Sequence, residues 1–194
     1  MSKKKVKSIG LIVEDNSDFE TFKKIISRIT AKSNITYKKA IGNGCGKMKR
    51  KAESYAKNLA LRGCNMIILV HDLDRNNLKQ LKSELENCIN SSPAEFNFVC
   101  IPIEEIEGWF LSDPQAIKNS FSLKRTPKLN SNPETISSPK EKIGEVIYQC
   151  SDKLKIYLNT KHNEVLAENV SIEKMKDKCQ SFREFYEFIN NYNY

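Results

Sequence analysis

The sequence predicts an α/β protein in which helices flank a mainly parallel β-sheet. Two observations carry this prediction. Short apolar runs alternate along the chain with longer segments of helical periodicity, which is typical of a parallel sheet covered on both faces. Several of the runs are apolar almost throughout, as at 66–70, and strands buried on both faces have this composition.

The first half of the chain contains four predicted strands and three predicted helices. The first strand covers about 7–13, and the helix at about 17–30 carries apolar residues such as Phe22 and Ile26 at helical spacing. We expect Asn16 or Ser17 to cap its N-terminus. The alternation then continues through strand 34–41, helix 47–62, strand 65–71, helix 77–90 and strand 96–103.

After residue 103 the pattern becomes helical. A short helix is predicted within 104–111, and Asp113-Pro114 is typical of the start of another. Residues 122–140 are rich in Ser, Pro, Asn and Lys and predict a mobile loop, after which helices resume at about 139–150 and end with one at about 181–191. We therefore expect an α/β core over 1–112 and a helical extension over 113–194 packed on it.

The charge balance indicates an anionic partner, nucleic acid first. The chain carries 32 Lys and Arg against 24 Asp and Glu, a net charge of +8. Residues 1–62 hold sixteen of the basic residues and five of the acidic ones. A solvated basic surface without a partner is the alternative.

Other classes of protein fit the sequence less well. None of the six cysteines is in Cys-x-x-Cys spacing and there are two histidines, which argues against a zinc cage. No apolar run approaches the roughly 20 residues of a membrane span, and no secretory signal is evident, so we expect a cytoplasmic protein without a membrane partner.

Two predicted strands end on carboxylates. The third strand is followed by Asp72-Leu73-Asp74, and the first by Glu14. Alternation in an extended chain puts Asp72 and Asp74 on one side, where their charges repel unless a cation lies between them. Parallel strands present their carboxyl ends at one edge of the sheet, so the pattern predicts a site for Mg²⁺ or Mn²⁺ there. Glu104, Glu105 and Glu107 follow the fourth strand at the same edge, although Asp18 and Glu104 also suit helix caps.

These residues resemble the Toprim fold of topoisomerases, primases and OLD (overcoming lysogenization defect) nucleases. The fold has a Rossmann-like sheet with a Glu after the first strand and Asp-x-Asp after the third, and OLD-type nucleases add an acid at the offset of Asp18. The blocks 103–113, 160–162 and 179–182 are similar to small stand-alone Toprim-like proteins often encoded beside ATPases. The sequence departs from the pattern at Asp15, where many Toprim proteins have Gly, and an extra charge there bears on the metal geometry.

The resemblance implies a nuclease that uses Mg²⁺ or Mn²⁺ to cleave DNA or RNA. It implies metal-binding catalytic acids at Glu14, Asp72 and Asp74, supporting acids at Asp18, Glu105 and Glu107, and a late charge-stabilising lysine at Lys161. It also implies a role in genome maintenance or antiphage defence beside an ATPase of the ABC or SMC type, with homo-oligomerisation left open. We expect Lys47, Lys49 and Arg50, in the basic second helix, to contact nucleic acid.

Three alternatives remain at this point. The first is a non-catalytic subunit that keeps the Toprim shape and binds nucleic acid through the basic helix. The second is a receiver-like signalling domain with Asp72 as phosphoacceptor, although the turn after Asp72 lacks Met-x-Pro and no later strand ends in Lys. The third is a haloacid-dehalogenase phosphatase, in which Thr or Val would stand at the position of Asn76.

Overall fold

A four-stranded parallel sheet forms the centre of the protein. The structure, a computed structural model, describes residues 4–32, 34–129 and 132–194. The strands are β1 (Ser8–Val13), β2 (Thr36–Ile41), β3 (Met66–Val70) and β4 (Phe96–Cys100), in the order β2-β1-β3-β4. The α/β class and the parallel sheet with flanking helices are therefore confirmed.

Nine α-helices surround the sheet in the described part of the chain. The three that alternate with the strands are α1 (Asn16–Thr30), α2 (Cys45–Leu61) and α3 (Leu78–Asn90). The others follow β4 as α4 (Glu107–Phe110), α5 (Pro114–Ser120), α6 (Pro139–Cys150), α7 (Asn159–Asn169), α8 (Ile172–Lys178) and α9 (Gln180–Asn190). A 3₁₀ turn at Pro133–Thr135 lies within the segment predicted to be a loop.

Alternate residues of the strands pack into two hydrophobic cores. Leu11 and Ile68 face a core that includes α1 and α9, whereas Ile12 and Leu69 face the core formed with α2 and α3. The central strands β1 and β3 therefore have apolar neighbours on both faces, which explains their largely apolar sequences, whereas the edge strand β2 carries Lys38 and Lys39.

The C-terminal helices complete the first of these cores. Helix α7 packs along α1, and α9 contacts both α1 and β4. Trp109 is fully buried between Phe22 of α1 and Phe182 of α9, and its indole N–H donates to Ser181 Oγ over 2.8 Å. The extension over 113–194 thus shares one core with the sheet. Among the described residues, none of the helices has the length and apolar composition that a membrane span requires.

Two helices and one helix cap differ from the prediction. Helices α7 and α8 were not predicted, because few of their buried residues are apolar: α7 buries Asn163 beside Leu166 and Ala167, and α8 buries Met175 alone. Asp15, rather than Asn16 or Ser17, caps α1: its carboxylate accepts the backbone N–H of Ser17 over 2.7 Å and that of Asp18 over 3.1 Å. Part of the loop predicted at 122–140, residues 130 and 131, lies outside the described residues.

Candidate metal centre

The carboxyl ends of β1 and β3 are neighbours, as their acidic endings predict. Ile12 pairs with Leu69 in the parallel register, so Glu14 and Asp72 follow adjacent strand ends. Both line one small cavity, of about 10 Å³, together with Asp18 of α1. We call the six carboxylates around this point the acid edge: Glu14, Asp18, Asp72, Asp74, Glu105 and Glu107.

The chain after β3 runs beside the chain after β4 and brings the later acids to the same edge. The backbone N–H groups of Leu73 and Asp74 donate to the carbonyl oxygens of Pro102 and Glu104 over 3.1 and 3.3 Å. Asp74, Arg75 and Glu104 have positive φ angles of 47°, 60° and 57°. Non-glycine residues rarely adopt this conformation, so the turns after β3 and β4 carry backbone strain.

At the start of α1, Asp15 and Asp18 have different hydrogen-bonding roles. The Asp15 carboxylate is occupied as the N-cap, while Asp18 Oδ2 accepts the Asp15 N–H over 3.3 Å and completes a capping box. The negative charge of Asp15 is therefore held by the N-terminus of α1. Asp18 has a second environment as well, because it lines the small cavity with Glu14 and Asp72.

Burial and like charges raise the pKa values of the central acids. The pKa of Asp18 rises to about 7, first through burial and then through the charge of Asp15, with smaller contributions from Glu14 and Glu107. The pKa of Asp72 lies well above its ordinary value, again through burial and then through the charge of Glu107. Asp18, Asp74 and Glu105 act on Asp72 in the same direction. The negative charges of this edge thus oppose one another.

Ion pairs do not offset this repulsion among the described residues. Within residues 4–32, 34–129 and 132–194, none of the ion pairs within 4.0 Å includes an acid-edge side chain. Burial also raises the pKa of Glu105, although its Oε2 accepts the backbone N–H of Lys140 over 2.8 Å and the charge of Lys140 acts to lower that pKa. Concentrated carboxylates without cationic partners are costly to hold near one another.

Glu107 is the most deeply buried acid of the group, at 3% exposure. The Tyr157 hydroxyl donates to its Oε1 over 2.7 Å, and Asn163 Nδ2 donates to the same oxygen over 3.2 Å. Burial and the charge of Glu107 raise the pKa of Tyr157, which keeps its hydroxyl protonated as a donor. Sequence reasoning missed both partners, which lie 50 and 56 residues after Glu107.

Cys45 is a further neighbour that sequence reasoning missed. Its thiol donates to Glu14 Oε2 over 2.9 Å, and burial, followed by that hydrogen bond, raises its pKa well above the ordinary value. The close approach of α2 to Gly42 brings it there, since a Cβ at Gly42 would lie 2.4 Å from Met48 Cβ. The glycine-rich segment 42–46 was the sequence feature that could have indicated this close approach.

The donor set suits a hard divalent cation. Carboxylate oxygens are the ligands that Mg²⁺ and Mn²⁺ prefer, and a cation would relieve the repulsion between Asp18, Asp72 and Glu107. In the described part of the chain, no three His, Cys, Asp or Glu side chains are already arranged as a metal-binding group. The oxygen donors and their negative charge thus suit a divalent cation. Because they are not yet arranged around one point, the side chains would have to rotate to bind it.

A larger cavity of about 800 Å³ opens beside the acid edge, between the turns after β3 and β4 and helix α6. Asp74, Glu105 and Tyr157 line it. Its other charged lining residues are Arg75, Glu104, Lys140, Glu141 and Glu145. Five carboxylates face two cations here, so this cavity disfavours a bare phosphate and favours a cation.

The basic residues of α2 that were predicted to contact nucleic acid differ in exposure and in ion pairing. Lys47 and Arg50 are exposed near the start of α2, whereas Lys49 forms an ion pair with Glu84 of α3. Because Cys45 begins α2 beside Glu14, this basic face starts next to the acid edge.

The structure does not bring Lys161 to the acid edge. Lys161 is exposed near the start of α7, two residues before Asn163, and so points to roughly the opposite side of that helix from the residue that contacts Glu107. His162 instead packs on Phe121 and Tyr157, and its Nδ1 accepts the Leu158 N–H over 2.9 Å. His71 is buried, with Nδ1 2.6 Å from the Asp72 carbonyl oxygen.

Comparison with known proteins assigns the chain to a family. Residues 13–190 match the family model described as Domain of unknown function (DUF4276), and the chain belongs to that family. Comparison with the curated proteins and with the solved structures finds no match.

Proposed function

We propose that this member of the DUF4276 family is a nuclease that depends on Mg²⁺ or Mn²⁺ and cleaves phosphodiester bonds in DNA or RNA. One observation carries the proposal. Acids from three neighbouring strand ends and from α1 meet at one edge, and the charges with the largest effect on Asp72 all come from other acids. The resemblance of Glu14 and Asp72-Leu73-Asp74 to Toprim nucleases supports the same chemistry.

In this proposal each group of acids has a distinct task. Glu14, Asp72 and Asp74 would hold the cation, and Asp18, Glu105 and Glu107 would complete the negative surroundings that favour it. A divalent cation bound by such oxygens supplies charge stabilisation for a phosphoryl group and lowers the pKa of bound water. The protein's own contribution is to exclude competing lysine and arginine side chains from these oxygens, which keeps them available to the cation.

Nucleic acid would approach the edge along α2. Lys47 and Arg50 are exposed, carry no ion pair among the described residues, and lie in the first turns of a helix that begins beside Glu14. Their charges would contact phosphates and position the backbone near the acids. The 800 Å³ cavity on the other side is acidic, so it supports an approach from α2 rather than through that opening.

The biological setting is proposed from the resemblance alone. Stand-alone Toprim-like proteins are often encoded beside ATPases, which suggests a partner ATPase of the ABC or SMC type and a role in antiphage defence. Homo-oligomerisation fits this setting too.

The test is cleavage of supercoiled DNA and of structured RNA with Mg²⁺, with Mn²⁺ and with EDTA. We expect cleavage that requires the metal and is lost in the Asp72→Asn variant. An Asp152→Asn variant is the matched control, because Asp152 is a surface acid paired with Lys124. Cleavage that persists in EDTA would place the chemistry elsewhere.

Two outcomes would favour the other candidates. Metal-independent binding of nucleic acid without cleavage of either substrate, with and without a candidate ATPase, would indicate a non-catalytic binding subunit. Stable labelling of Asp72 by acetyl phosphate would indicate a receiver-like domain.

A further inference from the structure

We infer that Tyr157 and Asn163 are positioning residues, which hold Glu107 in place so that its second oxygen is available to the cation of the acid edge. The inference rests on the proposed metal-dependent function and extends it to the helical extension. Neither residue belongs to the motifs that predicted the site.

The geometry directs both donors to one oxygen. Tyr157 Oη and Asn163 Nδ2 lie 2.7 and 3.2 Å from Glu107 Oε1. The single Tyr157 hydroxyl proton faces both Glu107 Oε1 and Asn163 Oδ1 and is shared between them, so the three side chains form one connected group. With Oε1 satisfied in this way, Oε2 is the oxygen left to interact with the cation that Glu14, Asp72 and Asp74 would hold.

The chemistry of the two donors matters as much as their position. A lysine or arginine here would neutralise Glu107 and compete with a metal ion, whereas a hydroxyl and an amide orient the carboxylate and leave its charge intact. The charge of Glu107 acts on the other acids, because among the neighbouring charges it raises the pKa of Asp72 the most.

Packing fixes the two donors themselves. The Tyr157 ring stacks on His162, with 5.9 Å between ring centroids, and makes an edge contact with Phe121 at 6.4 Å. Asn163 is 2% exposed on α7, which packs along α1. The helical extension therefore holds Glu107 against the sheet edge, in the way that outer groups commonly orient metal ligands.

The experiment measures Mn²⁺ affinity by electron paramagnetic resonance for the full chain and its variants. Tyr157→Phe removes the hydroxyl and keeps the ring, and Asn163→Ala is a second, independent variant. Tyr148→Phe is the matched control, since Tyr148 lies on the exposed side of α6. We expect Tyr157→Phe and Asn163→Ala each to weaken Mn²⁺ binding by about tenfold or more, and Tyr148→Phe to leave it unchanged.

A double variant tests whether the effect passes through Glu107. In a Glu107→Gln background, Tyr157→Phe should cause no further loss of Mn²⁺ affinity. An unchanged affinity in both single variants, or an equal loss with and without Glu107, would overturn the inference.

The result for the wild-type protein separates this inference from the proposed function. A wild-type protein that binds Mn²⁺ without cleaving nucleic acid would contradict the nuclease, while the variants would still decide the positioning role. A wild-type protein that binds no Mn²⁺ would overturn both.

Discussion

The acids of this protein occupy two contrasting environments. On the surface, Glu53, Glu84, Glu145 and Asp152 each accept a hydrogen bond from a lysine, and that bond is the main reason why the pKa of each is lowered. At the acid edge, Asp18 and Asp72 have other acids as their charged neighbours, and their pKa values are raised. The pKa values of these four surface acids and those of Asp18 and Asp72 are therefore shifted in opposite directions.

The contrast is informative because basic residues are abundant. The chain carries a net charge of +8, and lysines pair with scattered acids over its surface. Among the described residues the acid edge lacks such pairs, although α2, which carries several lysines, begins beside Glu14. This arrangement costs stability in the absence of a bound cation, and it leaves the carboxylates free to bind one.

The largest expected effect comes from removing the central charge of the acid edge. Asp72→Asn should lower the rate of cleavage by about a thousandfold or more, which corresponds to about 4 kcal/mol of transition-state stabilisation. Binding of nucleic acid should be retained or become tighter, because one repulsive charge toward phosphate is lost. Single-turnover cleavage and fluorescence anisotropy measure the two quantities.

The paired surface acid supplies the comparison. Asp152→Asn should change neither quantity by more than about twofold, since exposed ion pairs contribute little. Equal losses of cleavage in the two variants would remove the distinction between the environments.

The stability of the metal-free protein should depend on pH through Asp18. Its folded-state pKa of about 7 exceeds the ordinary value of 3.8, so the folded protein holds a proton that the unfolded chain has released. Stability in EDTA should therefore fall as the pH rises from about 4 to about 7, by up to roughly 4 kcal/mol. Urea unfolding at several pH values measures this slope.

Asp18→Asn should make the slope shallower without removing it, because the raised pKa values of Asp72 and Glu105 contribute in the same direction. Saturating Mn²⁺ should restore stability near pH 7.5. Burial lowers the pKa of His162, which contributes the opposite slope in both proteins, so the difference between wild type and variant isolates Asp18. Identical slopes in the two proteins would show that Asp18 is not held protonated.

The exposed and the paired basic residues of α2 should differ in their effect on nucleic-acid binding. Lys47→Ala and Arg50→Ala should each reduce the slope of log affinity against log salt by about 0.9 for a lost phosphate contact. Lys49→Ala should have a smaller effect, because Lys49 is paired with Glu84. Lys57, paired with Glu53, provides the control, and slopes equal to wild type in all variants would assign this face to solubility.

A small effect is expected at Lys161. Its exposed position, on the side of α7 away from Asn163, predicts a change of less than about threefold in cleavage for Lys161→Ala. A loss of a hundredfold or more would instead support the late catalytic lysine that the Toprim resemblance implies. The same cleavage assay decides between them.

The fold and the acid edge differ in how much the sequence reveals. Continuous apolar strands and the acids directly after them are local signals, so the sheet and the meeting of Glu14 with Asp72 could be predicted. Tyr157 and Asn163 reach Glu107 only through the packing of the helical extension, and no local pattern records that contact. The position of Lys161 on α7 depends on a helix whose residues carry no clear apolar stripe, so it could not be predicted either.

The central claim is that the acid edge holds a divalent cation, and a crystal grown or soaked with Mn²⁺ tests it most directly. We predict an anomalous peak with carboxylate oxygens of Asp72 and at least one other acid-edge residue within about 2.0–2.3 Å. The peak should be lost in crystals of Asp72→Asn. A well-occupied Mn²⁺ peak elsewhere, or none at this edge at saturating Mn²⁺, would contradict the account.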